Sequence, residues 1–400
     1  MPVASVPENW LQAFELLKDL IRTSTLKKKI LFIDELSWMD TPKSDLIMAL
    51  EHFWNGWASA RQDIVLIVCS SVTSWMINKV IHNKGGLYNR LTERIHLEPF
   101  SLNECEQYVM ETGLAMTRYQ IMEAYMILGG IPYYWGFMKK GLSLSQNIDF
   151  LFFSKHAPLY DEFHYLFASL FKKPDDYIKI IQALSSKAYG LTRNELIEAT
   201  KIAGSGVFTS KLEELEYCGF IRSYTAYGKK KKDCIYQLID PFTIFYYHFL
   251  QKKTSDEHYW SNQLDTAKRN VWSGLAFDRI CLHHIDEIKK ALGISGVLSD
   301  ICSWNCKANL DAGLLGSQID LVIVRNDKVI NLLEMKFSSG PYAITKKTDS
   351  DLMRKKMDFL TATKTTHAIH LTMVTPYGLI HNSYYGNIQS QITADDLFRD

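Results

Sequence analysis

GSQIDLVIVRNDKVINLLEMKFS, residues 316–338, is the stretch from which the fold is read. Two apolar runs of strand length, Ile319–Val324 and Val329–Leu333, flank the polar turn sequence Arg325–Lys328, so the stretch reads as a β-hairpin. Thirteen residues separate Asp320 from Glu334, and Lys336 follows two positions later. Residues two apart on a strand share a face, so Glu334 and Lys336 point the same way. An odd hairpin loop puts Asp320 opposite Glu334, whereas an even one displaces it by a step unless a bulge corrects the register. Two carboxylates and a lysine converging on one place suit Mg²⁺-dependent phosphodiester hydrolysis. The carboxylates are hard oxygen ligands, and the lysine orients the attacking hydroxide or offsets developing charge. A solvated strand face carrying a Glu–Lys ion pair is the competing structural account.

Outward from the hairpin, residues 271–291 read as one helix, 294–304 as a strand and THAIHLTMVT (366–375) as another. The D-x13-E-x-K spacing with this order of elements resembles the PD-(D/E)xK nuclease fold. The resemblance implies Asp320, Glu334 and Lys336 as catalytic residues, with Asp320 and Glu334 binding Mg²⁺. That fold also tends to carry an acid on its first helix; here GLAFDRICLHHI supplies Asp278, a shorter carboxylate than the expected Glu, as a third metal ligand. Gln318 fits as a polar residue at the mouth of the strand. His283 and His284, on the same helix, read as satisfied helix histidines rather than ligands.

Upstream, residues 151–260 follow the order helix, helix, helix, hairpin. Residues 176–187 have helical spacing, LTRNELIEAT starts a helix capped by Thr192, and VFTSKLEELEYCGF forms a third. IRSYTAYGKKKKDCIYQL then alternates on either side of Gly228–Lys232, the order of a winged helix-turn-helix. Lys229, Lys230, Lys231 and Lys232 sit at the expected wing tip, placed to meet DNA phosphates. Lys211 lies on the candidate recognition helix beside Glu213, Glu214 and Glu216, which DNA would repel. A rigid connector with a solvated hairpin tip is the alternative.

In residues 1–150, residues 8–23 have helical spacing, and KKKILFIDEL and DIVLIVCSS read as continuous apolar strands separated by a helix. That pattern indicates a buried parallel sheet. Asp40, Thr41 or Ser44 is expected to cap the intervening helix, residues 101–128 read as further helices, and GGIPYYW (129–135) reads as a turn. Asp34 and Glu35 end the first strand as a Walker B pair would, one carboxylate for the Mg²⁺ shell and one for the attacking water. Ser70 and Ser71 end the second strand where a γ-phosphate sensor would stand, and Arg90 and Arg94 follow.

ILFIDELSWMD, EHFWNGWAS, DIVLIVCSSVTSWM, NKGGLYNRLTERIHLEPFS and GGIPYYW, in this order, resemble the archaeal-type ATPase family, AAA-like P-loop proteins that continue into a winged helix and a nuclease-like tail. The resemblance implies a P-loop fold for residues 1–150, with Asp34, Glu35, Ser71 and Arg90 at the nucleotide. The family's Walker A loop is missing. The Gly228-Lys229 pair has no glycine five positions earlier, and the residues before Ile30 read as helix. ATP binding is therefore expected only where a further N-terminal segment supplies the phosphate cradle.

The expected fold class is α/β: an incomplete P-loop AAA-like parallel-sheet module (1–150), a winged helix-turn-helix (151–260) and a restriction-endonuclease-like α/β domain (265–400). Charge adds no global signature of nucleic acid, since 45 Lys and Arg balance 44 Asp and Glu. Seven scattered cysteines form no disulfide framework, and Cys302 with Cys306 lacks the second pair of a zinc knuckle. No signal peptide or membrane span is read, so a cytoplasmic site is expected. The expected function is a DNA-interacting member of that family with a Mg²⁺-dependent nuclease-like domain. An ATPase completed elsewhere and a non-enzymatic scaffold are the alternatives, with DNA and a protein partner or second copy as candidate partners.

Overall fold

Strands β1 (Lys29–Ile33) and β2 (Ile64–Val68) run parallel, in register from Lys29↔Ile64 to Ile33↔Val68. They belong to a computed structural model that describes residues 6–81, 85–87, 89–229, 233–252, 254–309, 311 and 314–399. The chain divides into two units, Met1–Leu97 with Tyr165–Pro174, and Glu98–His164 with Asp175–Asp400. It is a mixed α/β protein with one parallel, one antiparallel and one mixed sheet among the described residues.

In the first unit, α1 (Trp10–Thr23) is capped by Asn9, whose side chain accepts from the Gln12 backbone N–H. Its buried Phe14 and Ile21 meet Leu46, Leu50 and Phe53 of α2 (Leu46–Gly56), and Phe14 stacks on Phe53 at 5.1 Å. Leu31, Ile33, Leu66 and Val68 close this core from the sheet. Among the described residues, the other face of the sheet is largely uncovered. Its cross-strand pairs Ile30↔Val65 and Phe32↔Ile67 are 68, 44, 60 and 42 % exposed, respectively. The continuous apolar runs thus belong to parallel strands, as expected, but one side is largely uncovered. The cap of α2 is also different. Asp45 takes that position at φ 53° with no side-chain cap bond, while Asp40 accepts from Trp75 Nε1.

The second unit begins with α3 (Leu102–Thr112) and α4 (Arg118–Leu128), each opened by a capping box, Ser101/Glu104 and Thr117/Gln120. GGIPYYW is more than a turn, because Pro132–Trp135 closes into a short helix with proline in its first turn. Beyond further short helices come α5 (Asp175–Ser185), β3 (Leu191–Thr192), α6 (Arg193–Thr200), α7 (Gly206–Tyr217), β4 (Ile221–Tyr224) and β5 (Ile235–Leu238). Thr192 and Glu195 form the capping box expected of α6. The strands make an antiparallel sheet in the order β3-β5-β4.

The helix expected over 271–291 is broken. α8 (Ala267–His283) stops at His284, where φ −114° and ψ 39° leave the helical region, and a second helix runs Ile285–Ala291. β6 (Ser299–Cys306), β7 (Ser317–Arg325), β8 (Val329–Met335), β9 (Ala368–Val374) and β10 (Ser390–Ile392) form one sheet in the order β10-β9-β8-β7-β6. β6, β7 and β8 are antiparallel; β8, β9 and β10 are parallel. The long crossover α9 between β8 and β9 spans Lys346–Thr363, and its Leu352 and Phe359 pack on Trp304, Ile319, Val322 and Leu332.

Candidate metal and phosphodiester site

The β7–β8 register runs from Val324↔Ile330 to Leu321↔Leu333. The hairpin loop is Asn326–Lys328, three residues and therefore odd, with Lys328 at φ 68° in the left-handed position that closes such loops. Asp320 and Glu334 are the next residues beyond the last pair. β7 is also bulged against β6: Cys302 pairs with Val322 but Trp304 with Ile319, so Asp320 and Leu321 together face Ser303. A bulge at this point bends the strand and re-aims the Asp320 side chain. Gln318, two positions earlier, donates from Nε2 to Asp320 Oδ1 at 2.6 Å.

Glu334 is held at both oxygens. Lys336 Nζ lies 2.8 Å from Oε1, and Lys355 Nζ of α9 lies 2.6 Å from Oε2. Burial pushes the Glu334 carboxyl up, but Lys355 and Lys336 outweigh it and hold the group below the usual carboxylate range. Asp278 arrives from α8. Burial first, then the negative charge of Asp320, pushes its carboxyl up to about 7; Glu334 adds to the rise, while Arg279 and Lys336 oppose it. Asp278, Asp320, Glu334 and Lys336 thus influence one another across one place, where α8 meets the ends of β7 and β8.

Lys355 and Arg279 are the members that sequence reasoning missed. Lys355 lies 21 positions beyond Glu334 on α9, and no motif in the intervening sequence links the two. Arg279 is buried beside Asp278 and donates to Leu238 O at 3.0 Å and Ala188 O at 2.5 Å. It thereby ties the helix carrying Asp278 to the β3-β5-β4 module. Proximity to Asp278 in the sequence was the one available signal.

Among the described residues, no group of three His, Cys, Asp or Glu side chains is gathered closely enough to hold a metal ion. The donor set still fits a hard divalent cation. The charges of Asp320 and Glu334 add to burial in driving the Asp278 carboxyl toward its neutral form, and a hard divalent ion would relieve that repulsion. The two histidines are hydrogen-bonded to backbone groups of the fold rather than to this donor set. His284 is buried between Ile280 O and the Leu102 N–H, and His283 is exposed with Nε2 3.2 Å from Ile239 O.

The β4–β5 hairpin is joined to the five-stranded sheet. Tyr227 N–H donates to Ser303 O at 2.8 Å on the outer strand β6, Tyr189 Oη and Ser303 Oγ are 2.9 Å apart, and Tyr227 lies 5.2 Å from the Phe359 ring. Those bonds cover part of an otherwise open strand edge. Lys229 is exposed, and Lys230, Lys231 and Lys232 lie outside the described residues. On α7, Lys211 is held by Asp176 at 3.2 Å and lies over the Tyr177 ring, Glu214 accepts from Tyr177 Oη, and Glu216 accepts from Ser223 N–H.

In the first unit, Glu35 and Ser71 do meet, whereas the Asp34 side chain is engaged by Cys69. Ser71 Oγ donates to Glu35 Oε2 at 2.9 Å, and Cys69 Sγ donates to Asp34 Oδ1 at 2.5 Å. Glu35 has φ 49°, a left-handed conformation that costs a non-glycine residue energy and is frequent at functional sites. Arg90 is exposed, and its backbone N–H donates to Leu87 O.

No family model matches the chain. An uncharacterized protein of Methanocaldococcus jannaschii, MJECL04, is 23% identical over 359 residues, which cover 87% of this chain and 74% of that protein. The solved structure of the restriction endonuclease FokI aligns with 56% of this chain and 43% of its own, at 12% identity and a TM-score of 0.18, too low to bear on the fold. These comparisons lend no support to the AAA-like ATPase resemblance. Among the described residues, no helix is long and apolar enough to cross a membrane.

Proposed function

We propose that β6–β10 with α8 and α9 form a PD-(D/E)xK-type phosphodiesterase that cleaves DNA with Mg²⁺ or Mn²⁺. The supporting observation is the meeting of Asp278, from a separate helix, with the acids and lysine of the β7–β8 hairpin. In this reading Asp320 and Glu334 bind the ion and Asp278 adjusts its shell. Lewis acidity and an ionised water near neutral pH are what the ion supplies. Lys336 offsets the negative charge that builds on the phosphorane, and Gln318 orients Asp320. The β3-β5-β4 module is a winged helix-turn-helix that acts first as a mount, tied on through Arg279 and Tyr227, and presents Lys229–Lys232 to phosphate.

The test is incubation of plasmid, linear duplex and single-stranded DNA with the full chain and Mn²⁺ or Mg²⁺. The parent cuts at least one substrate; Glu334→Gln and Lys336→Met do not. An uncut set, with metal binding intact, leaves a non-enzymatic DNA-binding or scaffold protein.

The largely uncovered sheet face favours a second reading for the first unit. Parallel sheets are ordinarily covered on both sides. Ile30, Phe32, Val65 and Ile67 await a cover, and Asp34, Glu35 and Ser71 stand at the strand ends beside them. In this reading the unit is the nucleotide module of an archaeal-type, AAA-like ATPase, and it binds ATP–Mg²⁺ only when a segment bearing a phosphate loop covers that face. Calorimetry on this chain then finds at most weak ATP binding. Micromolar affinity that Asp34→Ala removes would contradict that dependence.

A further inference from the structure

Glu334 is largely buried, and each of its oxygens already has a cation. Each carboxylate oxygen keeps a second lone pair, so a divalent ion can join either one, but there it sits beside an ammonium group whose charge repels it. The two lysines differ in how they are tethered. Lys336 rises from the same strand face as Glu334 and also feels the charge of Asp278, so it stays within the acid cluster wherever Glu334 turns. Lys355 reaches in from α9. Its helix backbone is pinned one turn further on, where buried Asp358 accepts from Ser317 Oγ at 2.5 Å and from Leu315 N–H at 3.2 Å. Its four-carbon side chain can swing away while the helix stays in place. Its neighbour Arg354 is separately engaged, with Asp351 at 3.2 Å.

We propose that Lys355 is a positioning residue that occupies Glu334 Oε2 in the metal-free protein and yields it to the divalent ion, so that metal loading is a cation exchange. The inference rests on the metal-site reading above. Lys355 gives the buried carboxylate a second counter-charge beside Lys336, and it sets how much metal is needed to load the site. One ammonium leaves and two positive charges arrive, so the three-carboxyl cluster is better compensated with the ion than without it.

The experiment is a Mn²⁺ titration of the full chain, read from the electron paramagnetic resonance signal of the free ion. Lys355→Gln removes the competitor and binds Mn²⁺ about tenfold more tightly than the parent, equivalent to ~1.4 kcal/mol. Lys355→Arg keeps the ion pair and stays near the parent, and Lys356→Gln, which removes a neighbouring charge, changes nothing. A lysine that merely packed would act in the opposite direction, since loosening Glu334 weakens metal binding. Equal or weaker binding by K355Q overturns the exchange, and so does equal tightening by K356Q. If K355Q does not fold, ¹³C-lysine labelling of the parent serves: the Lys355 Cε resonance, identified by its loss in K355R, moves on Mg²⁺ addition. A stationary resonance in a protein that binds Mg²⁺ overturns the proposal as well. Failure of the parent to bind Mn²⁺ removes the metal site as a whole. Parent binding that Asp320→Asn abolishes but K355Q leaves unchanged removes only the role of Lys355.

Discussion

His284 Nε2 accepts a hydrogen bond from the Leu102 backbone N–H at 3.0 Å, joining the break after α8 to the first turn of α3. The other ring nitrogen donates to Ile280 O at 2.8 Å. The ring therefore has one donor and one acceptor nitrogen in use, an arrangement only neutral imidazole satisfies. Burial lowers its pKa from 6.5 to about 4. The unfolded chain takes up this proton more readily than the folded one. The stabilisation is thus complete above about 6.5, is lost as pH falls from there toward 4, and changes no further below. The loss amounts to roughly 3 kcal/mol. Urea unfolding at pH 7.5 and pH 4.5 measures it, and His284→Gln loses that part of the slope. A variant with the parent's full pH dependence would show that another group is responsible.

Asp358 is buried and anchors the start of β7 through Ser317 and Leu315. Asp358→Ala leaves a buried hydroxyl and a backbone N–H without their acceptor, a loss of about 2–4 kcal/mol. The same change frees the segment that carries Gln318 and Asp320. Metal affinity is expected to fall together with the melting temperature. A variant that loses stability but binds Mn²⁺ like the parent would separate the anchor from the site.

Gly130 O accepts from Phe100 N–H at 2.7 Å, and a Cβ at position 130 would lie 1.9 Å from Phe100 O. The obstruction is backbone, so no side chain can move aside. Gly130→Ala is expected to cost about 3 kcal/mol or more. Gly141→Ala, at φ 82° with open space around it, costs about 1 kcal/mol. Thermal unfolding of the two variants side by side checks the ranking.

Replacing Lys229–Lys232 with alanine tests the proposed role of the wing. Binding should weaken alike on all duplexes, and the slope of log affinity against log salt should flatten by roughly 0.9 for each phosphate that the wing no longer neutralises. Titrations at several salt concentrations that superimpose on the parent's would assign the hairpin to its bond with Ser303 alone.

Elements whose signal is local were legible. Capping at Thr192 and the hairpin around Asn326–Lys328 follow from side-chain chemistry within a few residues. The break at His284 was not legible, because the ring that marks it is satisfied by Leu102, far away in the sequence. Nor was the cap of α2, where Asp40 is drawn off to Trp75. The hairpin's residues allow either an odd or an even loop, and the β7–β8 register with Lys328 in the left-handed region makes it odd.

Sequence by itself determined the identity and spacing of Asp320, Glu334 and Lys336, because strand periodicity acts over two residues and a hairpin keeps its partners close. Tertiary structure alone decided what surrounds them. The bulge opposite Ser303 depends on pairing with β6, the raised Asp278 carboxyl on the packing of α8, and the second cation on Glu334 on where α9 crosses the sheet. Electrostatic interactions act through space, and periodicity along a strand carries no information about which helix will deliver the opposing charge.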